Sequence, residues 1–209
     1  MAAEGAASRS GHGPLPPQGG GPEQLAPGVF AYRGFLPPQV MLKVLAALDR
    51  LAPSWAPSEA LGLLGRGGTS QVRPTNLVVR TQLDEIRLAL APAAERWARN
   101  CGFRIPRTPY LALFPVKMTG DAAFPAHQEP HTDSSAGQSG PPVCTNVFYV
   151  TAKAVEGGAL AVATADDDLS DPLTIHPTPN TIVSFAGDRV HWVEPLYAGE
   201  RLSVVINFY

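Results

Sequence analysis

The hydrophobic pattern of this 209-residue chain changes its period near Pro109, and this change constrains the fold more than any other feature. Before Pro109, apolar residues recur with helical spacing over about 38–51 and 80–100. After Pro109, short apolar runs alternate with turn residues as far as Tyr209. Several short runs at such spacing are typical of β-sandwiches and barrels. We therefore expect a mostly β protein with N-terminal helices and an antiparallel jelly-roll (cupin-like) core that carries the helices on one sheet.

The predicted organisation is one domain, 28–209, after a tail. The Gly/Pro-rich segment 1–27 has the composition of a disordered tail. Within this domain, a helical region that supports the core should cover about 28–108, and the jelly-roll core should cover about 109–209. Pro92 should break or kink the second helix, and 56–74 should form a long loop. The candidate strands are 109–116, 125–131, 143–151, 159–164, 173–176, 180–185, 189–193 and 201–208.

Composition excludes several classes of protein. The net charge is −2, from 16 basic and 18 acidic residues, so the chain lacks the charge pattern of a nucleic-acid- or membrane-binding protein. No apolar run approaches the roughly 18 residues that a membrane span needs. The two cysteines, Cys101 and Cys144, form no zinc pattern, and the N-terminus has no secretory signal pattern. We expect a cytoplasmic protein; its oligomeric state is not indicated.

His131 and Asp133 have the spacing of two ligands on one face of a strand, where residues i and i+2 point the same way. A surface histidine followed by a turn aspartate gives the same pattern, so the pair alone is a weak signal. His191, far downstream in an apolar segment, can complete the set. Two imidazoles and one carboxylate are the ligands of a non-haem iron(II) site with open positions. The same set also suits zinc.

Arg201 favours iron over zinc. It opens the last candidate strand and shares one face of it with Ser203, while the apolar residues from Leu202 onward share the other. In an isolated amphipathic strand, Arg201 would lie in water. In a barrel, its guanidinium can bind the far carboxylate of an organic acid whose other end chelates the metal. This combination predicts an enzyme that uses iron(II), dioxygen and 2-oxoglutarate.

The C-terminal half, about 109–209, also resembles a known family. The matching motifs are HTD at 131–133, TNVFYV at 145–150, EGGAL at 156–160, FAGD at 185–188, and the segment from His191 to Arg201. In this order and spacing they are similar to those of the iron(II)/2-oxoglutarate-dependent dioxygenases, and among these to the prolyl 4-hydroxylase-like branch. GFLPP at 34–38 is a weaker match to the segment that opens the first helix of such enzymes.

The resemblance implies a double-stranded β-helix with iron on His131, Asp133 and His191. It implies that 2-oxoglutarate chelates the iron and that Arg201 pairs with its distal carboxylate, with Ser203 able to add a hydrogen bond.

The resemblance also bears on three aromatic residues. Tyr149 stands where some members place a hydroxyl on the distal carboxylate; the alternative is a core aromatic. Phe114 departs from the pattern, because close relatives often carry a tyrosine near this position. Contact with the keto-acid end is then expected from Tyr110.

These residues are compatible with three functions, which differ in the substrate. The favoured one is hydroxylation, or a related C–H oxidation, of a small molecule such as an amino acid or a natural-product intermediate. The alternatives are prolyl-hydroxylase-type modification of a peptide or protein, and a jelly-roll module that holds metal without turnover. His127 and Arg189 are the expected substrate contacts. Further basic residues can face the mouth of the site, which would favour an anionic substrate: Arg66, Arg73, Arg80 and Lys117.

Overall fold

The computed structural model of this protein describes residues 22–59, 66–134, 138–164 and 169–209. These residues form two α-helices, α1 (Pro38–Arg50) and α2 (Leu77–Asn100), and a short 3-10 turn, Ala52–Ser54. Their eleven strands are β1 (Pro22–Ala26), β2 (Val29–Arg33), β3 (Ala56–Pro57), β4 (Thr69–Gln71), β5 (Leu111–Thr119), β6 (Ala126–His131), β7 (Cys144–Gly157), β8 (Leu160–Val162), β9 (Leu173–Ile175), β10 (Thr181–Ala186) and β11 (His191–Phe208).

The strands form a larger and a smaller sheet that share the long strand β11. The larger sheet has the order β1-β2-β10-β7-β11-β5-β4-β3. In the smaller sheet, β6 and β8 flank the first residues of β11, and β9 pairs with β8. All pairs are antiparallel, and Tyr149 and Phe185 of the larger sheet pack against Leu160 and Val162 of the smaller one. The predicted jelly-roll fold is confirmed.

The two helices cover the outer face of the larger sheet. Val44 and Leu48 of α1 and Ile86 of α2 pack with Phe148 and Ile206 in one apolar core. The predicted alternation along the last strand is therefore observed, since its apolar face meets the helices and its other face lines the space between the sheets. Neither described helix has the length and hydropathy needed to cross a membrane.

Helix α2 begins at a side-chain cap and continues through a proline. The side chain of Asn76 accepts a hydrogen bond from the Val79 N–H at 3.0 Å, which satisfies one free donor of the first turn. Of the two outcomes expected at Pro92, a break is wrong, because α2 continues through this residue. Pro92 is exposed and Leu88 is on the solvent side. Water can therefore bind the carbonyl that loses its helical partner, which lowers the cost of this proline.

Three boundaries differ from the prediction. The predicted tail extends too far, because Pro22–Ala26 pairs with β2, while residues 1–21 lie outside the described residues. The segment 56–74 is not only a loop, since β3 and β4 extend the larger sheet beyond β5; its residues 60–65 are also outside the described part. Strands 189–193 and 201–208 are one strand, β11, whose pairing with β7 is irregular between Leu196 and Ser203.

Glycine permits the irregular part of β11. Gly199 has φ +83°, and a Cβ there would collide with the backbone carbonyls of Lys153 and Ala154. Gly157, the last residue of β7, has φ +81°, and a Cβ there would meet the carbonyl of Pro195. The long strand can therefore bend from one sheet into the other while its neighbours stay paired.

A buried polar network joins α2 to the larger sheet. Trp97 Nε1 donates to Ser184 Oγ at 2.9 Å, Ser184 Oγ donates to Asn146 Oδ1 at 2.6 Å, and Asn146 Nδ2 donates to the Ile206 carbonyl at 2.9 Å. Ser184 is 0 % exposed. It is thus the central member of the network.

Replacing Ser184 with alanine should destabilise the fold. The variant leaves the Trp97 donor and the Asn146 acceptor without partners, at about 1–3 kcal/mol for each buried group. Urea unfolding measures the difference in the free energy of unfolding. Ser139→Ala, at an exposed position, is the matched control and should change it by less than about 0.5 kcal/mol. Equal unfolding free energies for the two variants would contradict the network's role.

Candidate active site

The smaller sheet brings the three predicted metal ligands together. His131, the last residue of β6, is the register partner of His191, the first residue of β11. Asp133 follows two residues after His131. Its Oδ1 lies 3.9 Å from Nε2 of His131 and its Oδ2 lies 3.7 Å from Nε2 of His191. Two atoms that each bind one ion at about 2.0–2.2 Å can be at most about 4.4 Å apart, and both separations lie within this limit.

Backbone carbonyls hold both imidazoles in the form that binds metal. Nδ1–H of His131 donates to the Glu129 carbonyl at 2.7 Å, and Nδ1–H of His191 donates to the Arg189 carbonyl at 3.0 Å. Because a carbonyl can only accept, the proton is assigned to Nδ1 and the Nε2 lone pair faces Asp133. Burial lowers the pKa of His191 against the opposing attraction of Asp133. The neutral ring is thereby favoured.

Thr145 holds the carboxylate. Its Oγ1, on β7, donates to Asp133 Oδ2 at 2.9 Å. The sequence analysis did not assign Thr145 to the site, although its parity with Val147 and Tyr149 places it on the inner face of β7. The ring of His191 is also packed from two sides, 4.5 Å from the His131 ring and 4.9 Å from the Phe185 ring.

Arg201 is a buried cation without an anion. It is 3 % exposed, and its Nη1 donates to the Gly158 carbonyl at 3.0 Å. Its guanidinium lies 5.0 Å from the ring centroid of Tyr149. Within the described residues, no carboxylate forms an ion pair with Arg201, and its Nε and the Tyr149 hydroxyl lack hydrogen-bond partners.

This arrangement is costly unless an anion arrives. Burial lowers the pKa of Arg201, yet a guanidinium remains charged near neutral pH. A buried, unpaired charge costs several kcal/mol. The free Nε and the free Tyr149 hydroxyl are both donors, so the arrangement suits a carboxylate.

A cavity of about 340 Å³ contains both the His-Asp-His cluster and Arg201. Ser203 lines it on the same side as Arg201, and Phe114 also contributes to its wall. Tyr149 lies beneath Arg201 as a fully buried aromatic. The remaining lining residues are Gln71, Arg73, Val116, Gln128, Thr132, Ser134, Val147, Leu160, Val193 and Val205.

Two of the expected contacts lie elsewhere. Tyr110 is 47 % exposed and packs on Tyr209 beside helix α2, so its expected contact with the keto-acid end is wrong. Arg189 is not a substrate contact, because its guanidinium donates to the carbonyls of Ala163, Thr164 and Pro27.

His127 is also displaced from the cavity, and a register shift explains why. His191 pairs with His131 but Val193 pairs with Gln128, so β6 contains one extra residue between the two pairs. The extra residue changes the parity, and Gln128 lines the cavity instead of His127. The His127 ring contacts the Pro125 carbonyl and Glu129.

Of the basic residues considered for the mouth, Arg73 lines the cavity. Arg66 lies 3.8 Å from Glu129 and Lys117 lies 2.6 Å from Glu200, both outside the lining. Arg80 is exposed on α2. Sequence analysis missed Gln71 and Gln128, since an amide on a strand carries no signal of its own.

Comparisons with known proteins agree with this geometry. Residues 120–209 match the family model of the 2OG-Fe(II) oxygenase superfamily. No curated protein sequence matches the chain.

Solved structures share the fold over 87% of this chain. A prolyl-4-hydroxylase of Pseudomonas putida is 19% identical, covered over 91% of its length, with a TM-score of 0.59. An oxidoreductase of the 2OG-Fe(II) oxygenase family from Burkholderia pseudomallei is 15% identical, covered over 84%, with a TM-score of 0.65. The epimerase SnoN, solved with Fe3+, alpha ketoglutarate and nogalamycin RO, is 17% identical, covered over 78%, with a TM-score of 0.61.

The matched part of the chain, residues 120–209, contains the His-Asp-His cluster and is a 2OG-Fe(II) oxygenase domain by this family model, a type of domain that uses iron(II), 2-oxoglutarate and dioxygen.

Proposed function

We propose that this dioxygenase couples the oxidative decarboxylation of 2-oxoglutarate to hydroxylation, or a related C–H oxidation, of a small molecule such as an amino acid or a natural-product intermediate. One observation carries the proposal. The buried cation Arg201 lacks an anion, and it shares a cavity with three side chains that are arranged as metal ligands.

The residues present fit iron(II). Nε2 of His131, Nε2 of His191 and one oxygen of Asp133 would hold the ion, since the carbonyl contacts at both Nδ1 atoms leave the Nε2 lone pairs free. Three protein ligands leave coordination positions open for exogenous ligands. Bound iron supplies the activation of dioxygen. The chain supplies orientation, through Thr145 on the carboxylate.

The residues present also fit 2-oxoglutarate. Arg201 offers the planar fork that suits a carboxylate, and the Tyr149 hydroxyl is a second free donor beside it. Ser203 lines the same part of the cavity. The distal carboxylate would therefore neutralise a charge that is otherwise buried without compensation.

The size of the cavity favours a small substrate. About 340 Å³ lies at the low end of the roughly 300–1,000 Å³ of small-molecule sites, and the cosubstrate must share this volume. The fold alone does not distinguish a small-molecule substrate from a peptide, because proteins of similar structure include a prolyl-4-hydroxylase and an epimerase bound to nogalamycin RO. A mass-spectrometric screen of small molecules and proline-containing peptides tests the choice. A product heavier by one oxygen, or lighter by two hydrogens, identifies the substrate class.

The two histidine ligands can be tested by substitution, with a histidine outside the site as the control. His131→Ala and His191→Ala should abolish turnover and sharply lower iron(II) affinity, because two remaining ligands chelate poorly. His176→Ala, at an exposed position, is the control and should retain both. Succinate formation, calorimetric titration and circular dichroism measure activity, affinity and folding. Turnover near that of the wild type in either ligand variant would remove that residue from the set.

Thr145 should affect the metal without contacting it. Thr145→Val removes the donor to Asp133, and losing such a partner lowers metal affinity by about 10–100-fold. Thr151→Val, on the same strand, removes a buried hydroxyl that has no partner and is the matched control. Titration of iron(II) under anaerobic conditions measures both. Equal iron affinities in the two variants would show that Thr145 does not position the carboxylate.

Arg201→Ala should weaken 2-oxoglutarate binding far more than iron binding. Loss of a buried, hydrogen-bonded charge pair costs roughly 2–5 kcal/mol, or about 30- to several-thousand-fold in affinity. Arg201→Lys should recover part of the loss, because lysine lacks the fork. Arg80→Ala serves as the exposed control. The apparent KM for 2-oxoglutarate and its equilibrium affinity are measured, and an unchanged value in Arg201→Ala would contradict the assignment.

A further inference from the structure

Arg73 is a cavity-lining cation that nothing in the fold explains. Arg73 lies two residues after Gln71, the last residue of strand β4, and the side chains of both residues line the cavity. Its guanidinium forms no hydrogen bond or ion pair among the described residues. An arginine that faces a cavity without a partner is free to bind a ligand.

Strand register places Arg73 away from Arg201. Gln71 pairs with Val116, which pairs with Ser203, so Gln71 lies two strands from Ser203. Arg201 lies two residues before Ser203, whereas Arg73 lies two residues after Gln71. Because β4 and β11 run parallel, the two arginines lie in opposite directions along the sheet. With about 4.8 Å between strands and 3.3 Å per residue, the Cα atoms of Arg73 and Arg201 are roughly 16 Å apart. The two cations therefore start from backbone positions at different ends of the cavity lining.

The charge balance of the loaded site also leaves Arg73 unmatched. The charges of iron(II), Asp133, Arg201 and doubly ionised 2-oxoglutarate cancel. Among the described lining residues, Asp133 is the only acidic side chain. One positive charge remains, that of Arg73, whose exposed side chain lines the rim of the cavity and attracts anions there.

The surroundings of Arg73 suit a small organic acid. Gln71, which is buried, and Gln128 on the opposite sheet present side-chain amides that have no hydrogen-bond partner within the described chain. Phe114 and Val205, register partners on β5 and β11, supply an apolar wall of the same cavity. The cavity thus offers a cation, two uncharged hydrogen-bonding groups and a surface for a carbon skeleton.

We propose that Arg73 binds a carboxylate of the primary substrate, and that the substrate is a small carboxylic acid whose carbon skeleton lies along Phe114 and Val205. The proposal rests on the function proposed above. Arg73 is a specificity-determining residue here, since it selects the molecule that is oxidised and takes no part in binding the iron.

The test compares acids with their amides. The full-length protein, loaded with iron(II) and saturating 2-oxoglutarate in the absence of oxygen, is titrated calorimetrically with free amino acids and aliphatic and aromatic carboxylic acids, and with the carboxamide of each. We expect at least one acid to bind about tenfold or more tightly than its amide, a difference that a charge-assisted pair supplies. Arg73→Gln should abolish this preference, and Arg73→Lys should restore part of it.

Arg80→Gln removes the same charge from an exposed position outside the cavity and should keep the preference. Three results overturn the proposal: equal affinities for acids and amides, a preference that survives in Arg73→Gln, or no binding of any acid up to roughly 10 mM. Titration of 2-oxoglutarate into the wild type separates the two proposals. If it binds there but not to Arg201→Ala, the proposed function stands whatever Arg73 does; if it does not bind to the wild type, both proposals fail.

Discussion

The active site depends on one strand that belongs to both sheets. β11 begins in the smaller sheet, where His191 is its first residue, and continues into the larger sheet, where Arg201 and Ser203 face the cavity. Its opposite face carries Val204 and Ile206 into the helix-covered core. Because side chains alternate along a strand, a slip of one residue would put Arg201 into that core and Val204 into the cavity. The apolar core therefore fixes the register that the charged site requires.

The same register has an energetic consequence. On the helix side of the larger sheet, the buried polar groups Trp97, Ser184 and Asn146 hydrogen-bond to one another. On the cavity side, Arg201 Nε and the Tyr149 hydroxyl are buried without partners. These three side chains are thus satisfied in the helix-covered core, whereas the two donors beside the cavity are left unmatched where a ligand can bind. Such a local conflict with the rules of packing is typical of functional sites.

Much of this arrangement was predictable from sequence, and two of the errors share a cause. The spacing of apolar residues predicted helix α1 and the strands after Pro109, and the alternation of side chains predicted that Arg201 faces inward. Each of these predictions depends on residues that are close in the chain. The continuity of β11 was missed because Pro195 and Gly199 resemble strand breakers, whereas they lie in its irregular part. His127 was expected to contact the substrate, but an extra residue in β6 inverts the parity and Gln128 lines the cavity instead. Bulges carry no sequence signal as clear as alternation, so parity arguments fail wherever a strand contains one.

Burial divides the cavity into two parts with different tasks. Arg201 is almost fully buried, and Arg73 is exposed at the rim. The buried guanidinium of Arg201 binds a carboxylate strongly and selects its planar shape. The exposed guanidinium of Arg73 contributes less affinity, because water and salt compete with the ligand there. It follows that the cosubstrate end of the cavity should bind its carboxylate more tightly than the substrate end binds its own.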